Sequence, residues 1–232
     1  MPPPRIFLNT NFWIELVYSF VTLISCLVIY FKTNEIYKLS SHKGLKYFRL
    51  TFLFLGITYS LRFFARMFLL NLIFSGTMIP VRNFSGLTSF LLLYTNFMTL
   101  FYLLYGLSNK IVSKSLPEST DVLHMVAILL SSAIWFLNLR RIFILLNLPL
   151  MIYILYLGYL NYKKSKKKKA SKFHIIYFLL VVFLMLNVFD ILIPDFFRNL
   201  QNLIYLSSIS IILIILYKVF KILSVDPNGK KE

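Results

Sequence analysis

Four ionisable residues lie inside long apolar stretches of the 232-residue chain: Glu15, Arg62, Arg66 and Asp190. A charged side chain at the centre of a membrane-spanning helix costs about 2.5–3.5 kcal/mol or more, so such residues are candidates for function. With a rise of about 1.5 Å per helical residue, Glu15, Arg66 and Asp190 fall at one level near one membrane surface, and Arg62 lies one turn deeper. Two cations and two acids at similar depth are expected to interact.

Two interpretations of these four residues remain open. They form either an ion-pair network that locks the helices together or a ligand site, in which a planar guanidinium binds an anionic group and the acids orient it. Because Arg62 and Arg66 are four residues apart, they share one face of a helix. Polar residues that would complete a ligand site are Tyr59, Tyr94, Asn96, Asn138, Asn187 and Gln201.

The composition places these residues in a membrane protein. The chain is 59% hydrophobic and 14% charged, with a mean hydropathy of +0.76, whereas a soluble domain carries about 25% charged residues. Each apolar segment except the fourth is close to the ~20 residues that cross a bilayer as a helix. We therefore predict an all-α polytopic membrane protein, one domain over residues 1–232 with no soluble domain, whose seven transmembrane helices cover about 11–31, 47–70, 86–107, 122–137, 142–160, 174–193 and 200–222.

The fourth segment is short, and only residues 138–141 separate it from the fifth. A continuous helix from Val122 to Leu160 would be about twice the length of one crossing. Two helices joined by a tight charged connection are therefore predicted there.

The basic residues are sorted by side, which predicts the orientation. All 17 lysines and Arg49 fall in the first, third and fifth connections or toward the C-terminus. Lysine-rich connections stay in the cytoplasm, so we expect a multi-pass protein of the cell membrane with its N-terminus outside and its C-terminus inside. The net charge of +17 then reflects membrane topology, and no nucleic-acid partner is expected. The opposite side carries Arg5, Arg82, Arg140, Arg141 and Arg198.

The fifth connection, from Lys163 to Lys172, contains seven lysines. One interpretation is that it fixes the topology and lies solvated at the headgroups. The other is capture of an anionic lipid or an acidic partner.

The sequence lacks the common motifs of metal, phosphate and nucleophile sites. The sequence has no HExxH, no glycine-rich phosphate loop and no GxSxG, and Cys26 is its single cysteine. We therefore predict neither an enzyme nor a cofactor or metal. His124 and His174 are expected at the cytoplasmic boundary as solvated side chains, and Lys218 lies too near the end of the last segment for a retinal protein.

Short stretches of sequence carry resemblances to known membrane proteins. Residues 40–45, Ser-Ser-His-Lys-Gly-Leu, resemble the Lys-Ser-x-x-Gly-Leu-Ser stretch of PQ-loop and SWEET-type transporters, although Phe31-Lys32-Thr33-Asn34 stands where the Pro-Gln pair would be. Residues 41–49 are similar to a stretch in small, uncharacterised archaeal seven-helix membrane proteins. The seven-helix order also resembles that of receptors and sensors.

These observations predict a receptor or sensor. It would bind a small ligand, anionic where an arginine holds it, in an outward-facing polar cavity and signal through its cytoplasmic loops to a separate effector. The alternative is a small-molecule transporter with a three-plus-one-plus-three helix plan, for which a homodimer is plausible.

Overall fold

The computed structural model describes residues 10–40, 43–75, 81–108, 120–137, 140–165, 172–192 and 198–223. Within these ranges the chain is all-α and every predicted segment corresponds to one helix, including the separate fourth and fifth helices. The helices are α1 (Thr10–Ser40), α2 (Lys43–Ser75), α3 (Val81–Ser108), α4 (Thr120–Phe136), α5 (Arg140–Ser165), α6 (Lys172–Leu192) and α7 (Arg198–Leu223).

Most helices are longer than the apolar segments that predicted them. Helix α1 continues nine residues past Phe31, through two lysines, to Ser40. Hydropathy marks only the part of a helix that lies in hydrocarbon, whereas backbone hydrogen bonding continues into the polar region. Helix α6 ends at Leu192, two residues before Pro194, as expected because proline removes an N–H donor and restricts the preceding residue.

Five of the described helices have the length and hydropathy of membrane spans. Large apolar side chains such as Phe64, Leu129 and Tyr159 are more than 60% exposed, as on a surface that faces lipid tails. Two apolar stretches, Thr120–Phe136 and Ile175–Asp190, are shorter than a full span. Five are long and apolar enough to cross a bilayer, which indicates a membrane protein: Phe12–Lys38, Gly44–Phe68, Gly86–Leu107, Ile142–Asn161 and Leu200–Ile222.

Six helices form a closed ring in which each helix contacts the next. The order is α1, α2, α3, α5, α6 and α7, which returns to α1, while α4 packs outside against α3 and α5. Aromatic side chains of α2 and α6 meet across the ring: Phe48 lies 5.3 Å from Tyr177, and Tyr59 lies 5.9 Å from Phe183, between ring centroids. The interior is therefore packed at these two levels.

Buried polar side chains connect neighbouring helices. The hydroxyl of Thr58 on α2 donates to that of Thr95 on α3 at 2.9 Å. Near the other end of the bundle, Asn161 Nδ2 donates to the carbonyl oxygen of Leu107 at 2.8 Å. This bond joins the end of α5 to the end of α3. We call that end, where α1, α3, α5 and α7 finish, the lysine side, and the opposite end the N-terminal side.

Candidate functional site

Polar side chains of four helices converge in the half of the bundle toward the N-terminal side. Helices α1 and α7 begin at this side and α2 and α6 end there, so residues early in the first pair lie level with residues late in the second pair. The contacts described below join residues of α1, α2, α6 and α7. This polar cluster consists of Glu15, Tyr18, Tyr59, Arg62, Arg66, Asn187, Asp190 and Tyr205.

Arg66 and Glu15 form a two-pronged ion pair between α2 and α1. Arg66 Nη2 lies 2.7 Å from Glu15 Oε1 and 2.6 Å from Oε2, and Nε donates to Oε1 at 3.1 Å. The guanidinium also lies 5.9 Å from the centre of the Phe12 ring. Matched geometry of this kind is the strong form of an arginine–carboxylate contact. The charge of Arg66 is therefore balanced by Glu15.

Two tyrosines and an asparagine form a buried hydrogen-bonded group just below the ion pair. The Tyr18 hydroxyl donates to Asn187 Oδ1 at 2.9 Å, and the Tyr59 hydroxyl donates to the same oxygen and contacts the Tyr18 hydroxyl. Asn187 Nδ2 donates to the carbonyl oxygen of Phe183 at 2.8 Å, which orients the amide. Tyr18 and Tyr59 are each 1% exposed. This group joins α1, α2 and α6.

Arg62 is the less well-paired arginine. Its guanidinium carbon lies 5.4 Å from the centre of the Tyr59 ring, and Asp190 and Glu15 lie close enough to interact with it electrostatically. Among the described residues, however, it makes no hydrogen bond or ion pair. Its N–H donors thus have no acceptor among these residues.

Asp190 also keeps one unmatched atom. The Tyr205 hydroxyl lies beside its carboxylate, but Oδ1 is buried and has no hydrogen-bond partner among the described residues. A buried acceptor without a donor is costly, so it is satisfied well by a ligand's hydroxyl or amine. Among the described residues, Arg62 thus has donors and Asp190 an acceptor without hydrogen-bond partners.

The other predicted residues fall in different places. Asn96 lies on α3 with its Oδ1 buried and unpartnered, and no described contact joins it to the polar cluster. Tyr94 bonds elsewhere, as described below. Gln201 lies on α7, one helical turn before Tyr205, and Asn138 lies outside the described residues.

Tyr18 and Tyr205 belong to the cluster but were not among the predicted residues. With 15 tyrosines in the chain, residue type alone does not single them out. Spacing could have found them, since Tyr18 is three residues after Glu15 and Tyr205 is four after Gln201, on the same helix faces. Their rings stack at 5.2 Å between centroids.

A second polar group lies between α3 and α4. His124 Nδ1 is 2.7 Å from the Tyr94 hydroxyl, and Nε2 is 3.1 Å from the Tyr102 hydroxyl. The expectation of a solvated histidine at this position is therefore corrected: the ring lies among aromatic side chains, including Phe54. In the described part of the chain, no group of three or more His, Cys, Asp or Glu residues could hold a metal ion.

Comparison with known proteins gives one partial relative and no assignment of activity. No family model matches the chain, and no solved structure matches it. It is 35% identical over 99 residues to an uncharacterized protein of Archaeoglobus fulgidus, a match that covers 40% of this chain and 42% of that protein. The chain thus matches less than half the length of this relative. The archaeal resemblance predicted from the sequence is supported to that extent.

Proposed function

We propose that the chain is a cell-membrane receptor or sensor that binds a small anionic ligand at Arg62. The observation that carries this proposal is the difference between two arginines one helical turn apart. Arg66 is balanced by Glu15, whereas Arg62 has no hydrogen-bond acceptor among the described residues. A guanidinium in a water-poor interior binds a carboxylate or phosphate through parallel N–H bonds.

Asp190 narrows the chemistry of the ligand. Its Oδ1 has no hydrogen-bond donor among the described residues, and Asp190 lies close enough to Arg62 for the two to interact electrostatically. A molecule with one anionic group for Arg62 and a hydroxyl or ammonium group for Asp190 would satisfy both. Small hydroxy acids, amino acids and sugar phosphates have this combination of groups.

The distribution of lysines supports a site open to the outside. All 17 lysines fall in segments at the lysine side or in connections that lead to it, and lysine-rich segments stay in the cytoplasm. The N-terminus and the polar cluster then face the exterior. In that orientation a water-soluble ligand would approach Arg62 from outside and not through the apolar core toward the lysine side.

The packing of α1 on α7 offers a path for the signal. Tyr18 stacks on Tyr205, and Tyr205 lies beside Asp190, so a ligand at Asp190 acts directly on the contact between these helices. Both helices continue to the lysine side, where cytoplasmic loops would meet a separate effector. Ligand binding shifts this contact only if it favours one arrangement of α1 and α7 over another.

A transporter is the second candidate. The ring is made of α1–α3 and α5–α7 with α4 outside it, which matches a three-plus-one-plus-three plan. Below the polar cluster, however, Phe48, Phe52 and Ile215 are buried in an apolar core toward the lysine side. This layer favours a receptor, because a transported anion would have to pass it.

The anion site is tested with purified protein in detergent by measuring Tm with acetate, succinate, glycerol phosphate and serine against chloride. We expect at least one of these molecules to raise the Tm of the wild type, because a ligand at 100 times its Kd stabilises by about 2.7 kcal/mol. Arg62→Gln should abolish the shift, and Arg62→Lys should reduce it. A Glu15→Gln/Arg66→Gln double variant, which removes a balanced pair, should retain it.

Two outcomes contradict the anion site. One is an equal shift in the wild type and Arg62→Gln, and the other is no shift with any of the four molecules. Uptake of the radiolabelled stabilising molecule into proteoliposomes then separates the two functions. A receptor binds it without flux, whereas flux that Arg62→Gln abolishes identifies a transporter.

A further inference from the structure

An apolar cleft lies between α5 and α6 near the lysine side, away from the polar cluster. Its volume is about 420 Å³, within the range of about 300–1,000 Å³ typical of small-molecule sites. The end of α3 closes it through Leu107. Tyr159 and Phe178, which are 62% and 57% exposed, line its open side. The cleft therefore opens toward the surface that faces lipid.

Gly158 keeps part of this cleft empty. A Cβ atom built on Gly158 would meet no atom within 4 Å, in contrast to Gly106, where it would lie 3.2 Å from the Tyr177 hydroxyl. The wall beside Gly158 includes Ile154 and Val181, which are buried and apolar. Such a space suits a hydrocarbon chain and offers little to a polar ligand.

A positive charge follows the cleft along α5 toward the lysine side. Lys163 is exposed and follows Gly158 on α5 by five residues, which is about 7.5 Å along the helix axis. The sequence from Lys163 to Lys172 carries seven lysines and no acid. An anionic headgroup at the level of Lys163 would thus have its acyl chain at the level of the cleft.

We propose that the α5–α6 cleft binds one acyl chain of an anionic phospholipid whose headgroup is held by Lys163. The apolar walls bind the acyl chain, and the positive charge selects an anionic headgroup. Both features are needed for a preference for anionic phospholipids. The proposal concerns a different site from Arg62 and does not depend on the ligand there.

The test is native mass spectrometry of the purified chain in neutral detergent, titrated with phosphatidylglycerol or with phosphatidylcholine of the same acyl chains. We expect at least tenfold tighter binding of phosphatidylglycerol. Gly158→Phe, which fills the cleft, should weaken it at least tenfold, and Gly158→Ala should change it less than twofold. If Gly158→Phe lowers the Tm of the protein, Gly158→Leu fills the cleft with a smaller side chain and serves in its place.

The charge is tested separately. Lys163→Gln should weaken phosphatidylglycerol binding about fivefold, the value expected for one lysine near an anionic surface, and leave phosphatidylcholine binding unchanged. Lys38→Gln, an exposed lysine on α1 at the same side, is the matched control and should have no effect. Equal affinity for the two lipids, or unchanged binding in both the Phe and Leu variants at Gly158, would overturn the proposal.

Discussion

At the scale of single residues, neighbours decide what a charge in this bundle does. Arg62 and Arg66 share one face of α2, yet among the described residues only Arg66 has a carboxylate within ion-pair distance. Sequence reasoning found both arginines, both acids and Asn187, because ionisable and amide groups in apolar helices are rare. It did not distinguish the roles of the arginines, because pairing depends on how α1 and α6 are rotated toward α2, which spacing along one helix does not contain.

The ion pair gives a prediction about stability. Arg66→Gln leaves the Glu15 carboxylate without its partner, and because the Arg66 side chain is 37% exposed water offsets part of the loss. We expect a decrease in the free energy of unfolding of about 1–3 kcal/mol. The Glu15→Gln/Arg66→Gln double variant should recover more than half of it in SDS titrations of the detergent-solubilised protein. Additive single effects would show that the two side chains are not coupled.

The buried tyrosines give a second prediction. Tyr59→Phe keeps the ring between Phe183 and Arg62 but removes the hydroxyl that bonds Asn187. We expect a loss of about 1 kcal/mol in the same unfolding assay. Tyr217→Phe, at a tyrosine 63% exposed on α7, is the control and should be neutral. A neutral Tyr59→Phe would mean that the hydroxyl group does not help to hold α1, α2 and α6 together.

At the scale of helices, the apolar segments predicted where helices occur but not how they pack. The split between α4 and α5 followed from length alone. The position of α4 outside the ring did not, since its sequence is as apolar as that of its neighbours. The position of α4 is fixed by contacts such as Tyr94–His124, which join residues 30 positions apart.

Close packing at Gly106 predicts the effect of adding a side chain there. A Cβ at Gly106 would lie 3.2 Å from the Tyr177 hydroxyl and 3.7 Å from the backbone nitrogen of Phe48. Gly106→Val should therefore destabilise the protein by about 1–3 kcal/mol through overpacking. Gly158→Val makes the same chemical change where there is open space, and its unfolding free energy should be equal to or above that of the wild type. Similar losses at both glycines would contradict this packing.

The hydrogen bonds of His124 are expected to stabilise the packing of α4 against α3. His124→Phe retains an aromatic ring but loses the hydrogen bonds to Tyr94 and Tyr102, a loss of about 1–2 kcal/mol. Because α4 packs mainly on α3 and α5, with a ring contact from His124 to Phe54 of α2, amide hydrogen exchange should increase in α4 and stay unchanged in α1 and α7. Leu129→Phe, on the exposed face of α4, should leave exchange as in the wild type. A uniform increase along the whole chain would mean that α4 is not a separately held helix.

At the scale of the whole molecule, the lysines of the described helices lie toward one end of the bundle, and the polar cluster lies in the opposite half. The helical class and membrane character were predictable because apolar length and charge sorting are properties of the sequence. The ring order, the α5–α6 cleft and the lack of an acceptor for Arg62 among the described residues were not predictable, because they depend on which helix faces meet.

The measurement that tests this arrangement most directly is the sidedness of labelling by a membrane-impermeant maleimide in intact cells. Cys26 is fully buried, so Cys26→Ala provides a cysteine-free background. We predict that Gln201→Cys, one helical turn before Tyr205 of the polar cluster, is labelled without permeabilisation, and that Lys163→Cys is labelled only after permeabilisation. The reverse pattern would place the polar cluster on the cytoplasmic side and contradict an external ligand for Arg62.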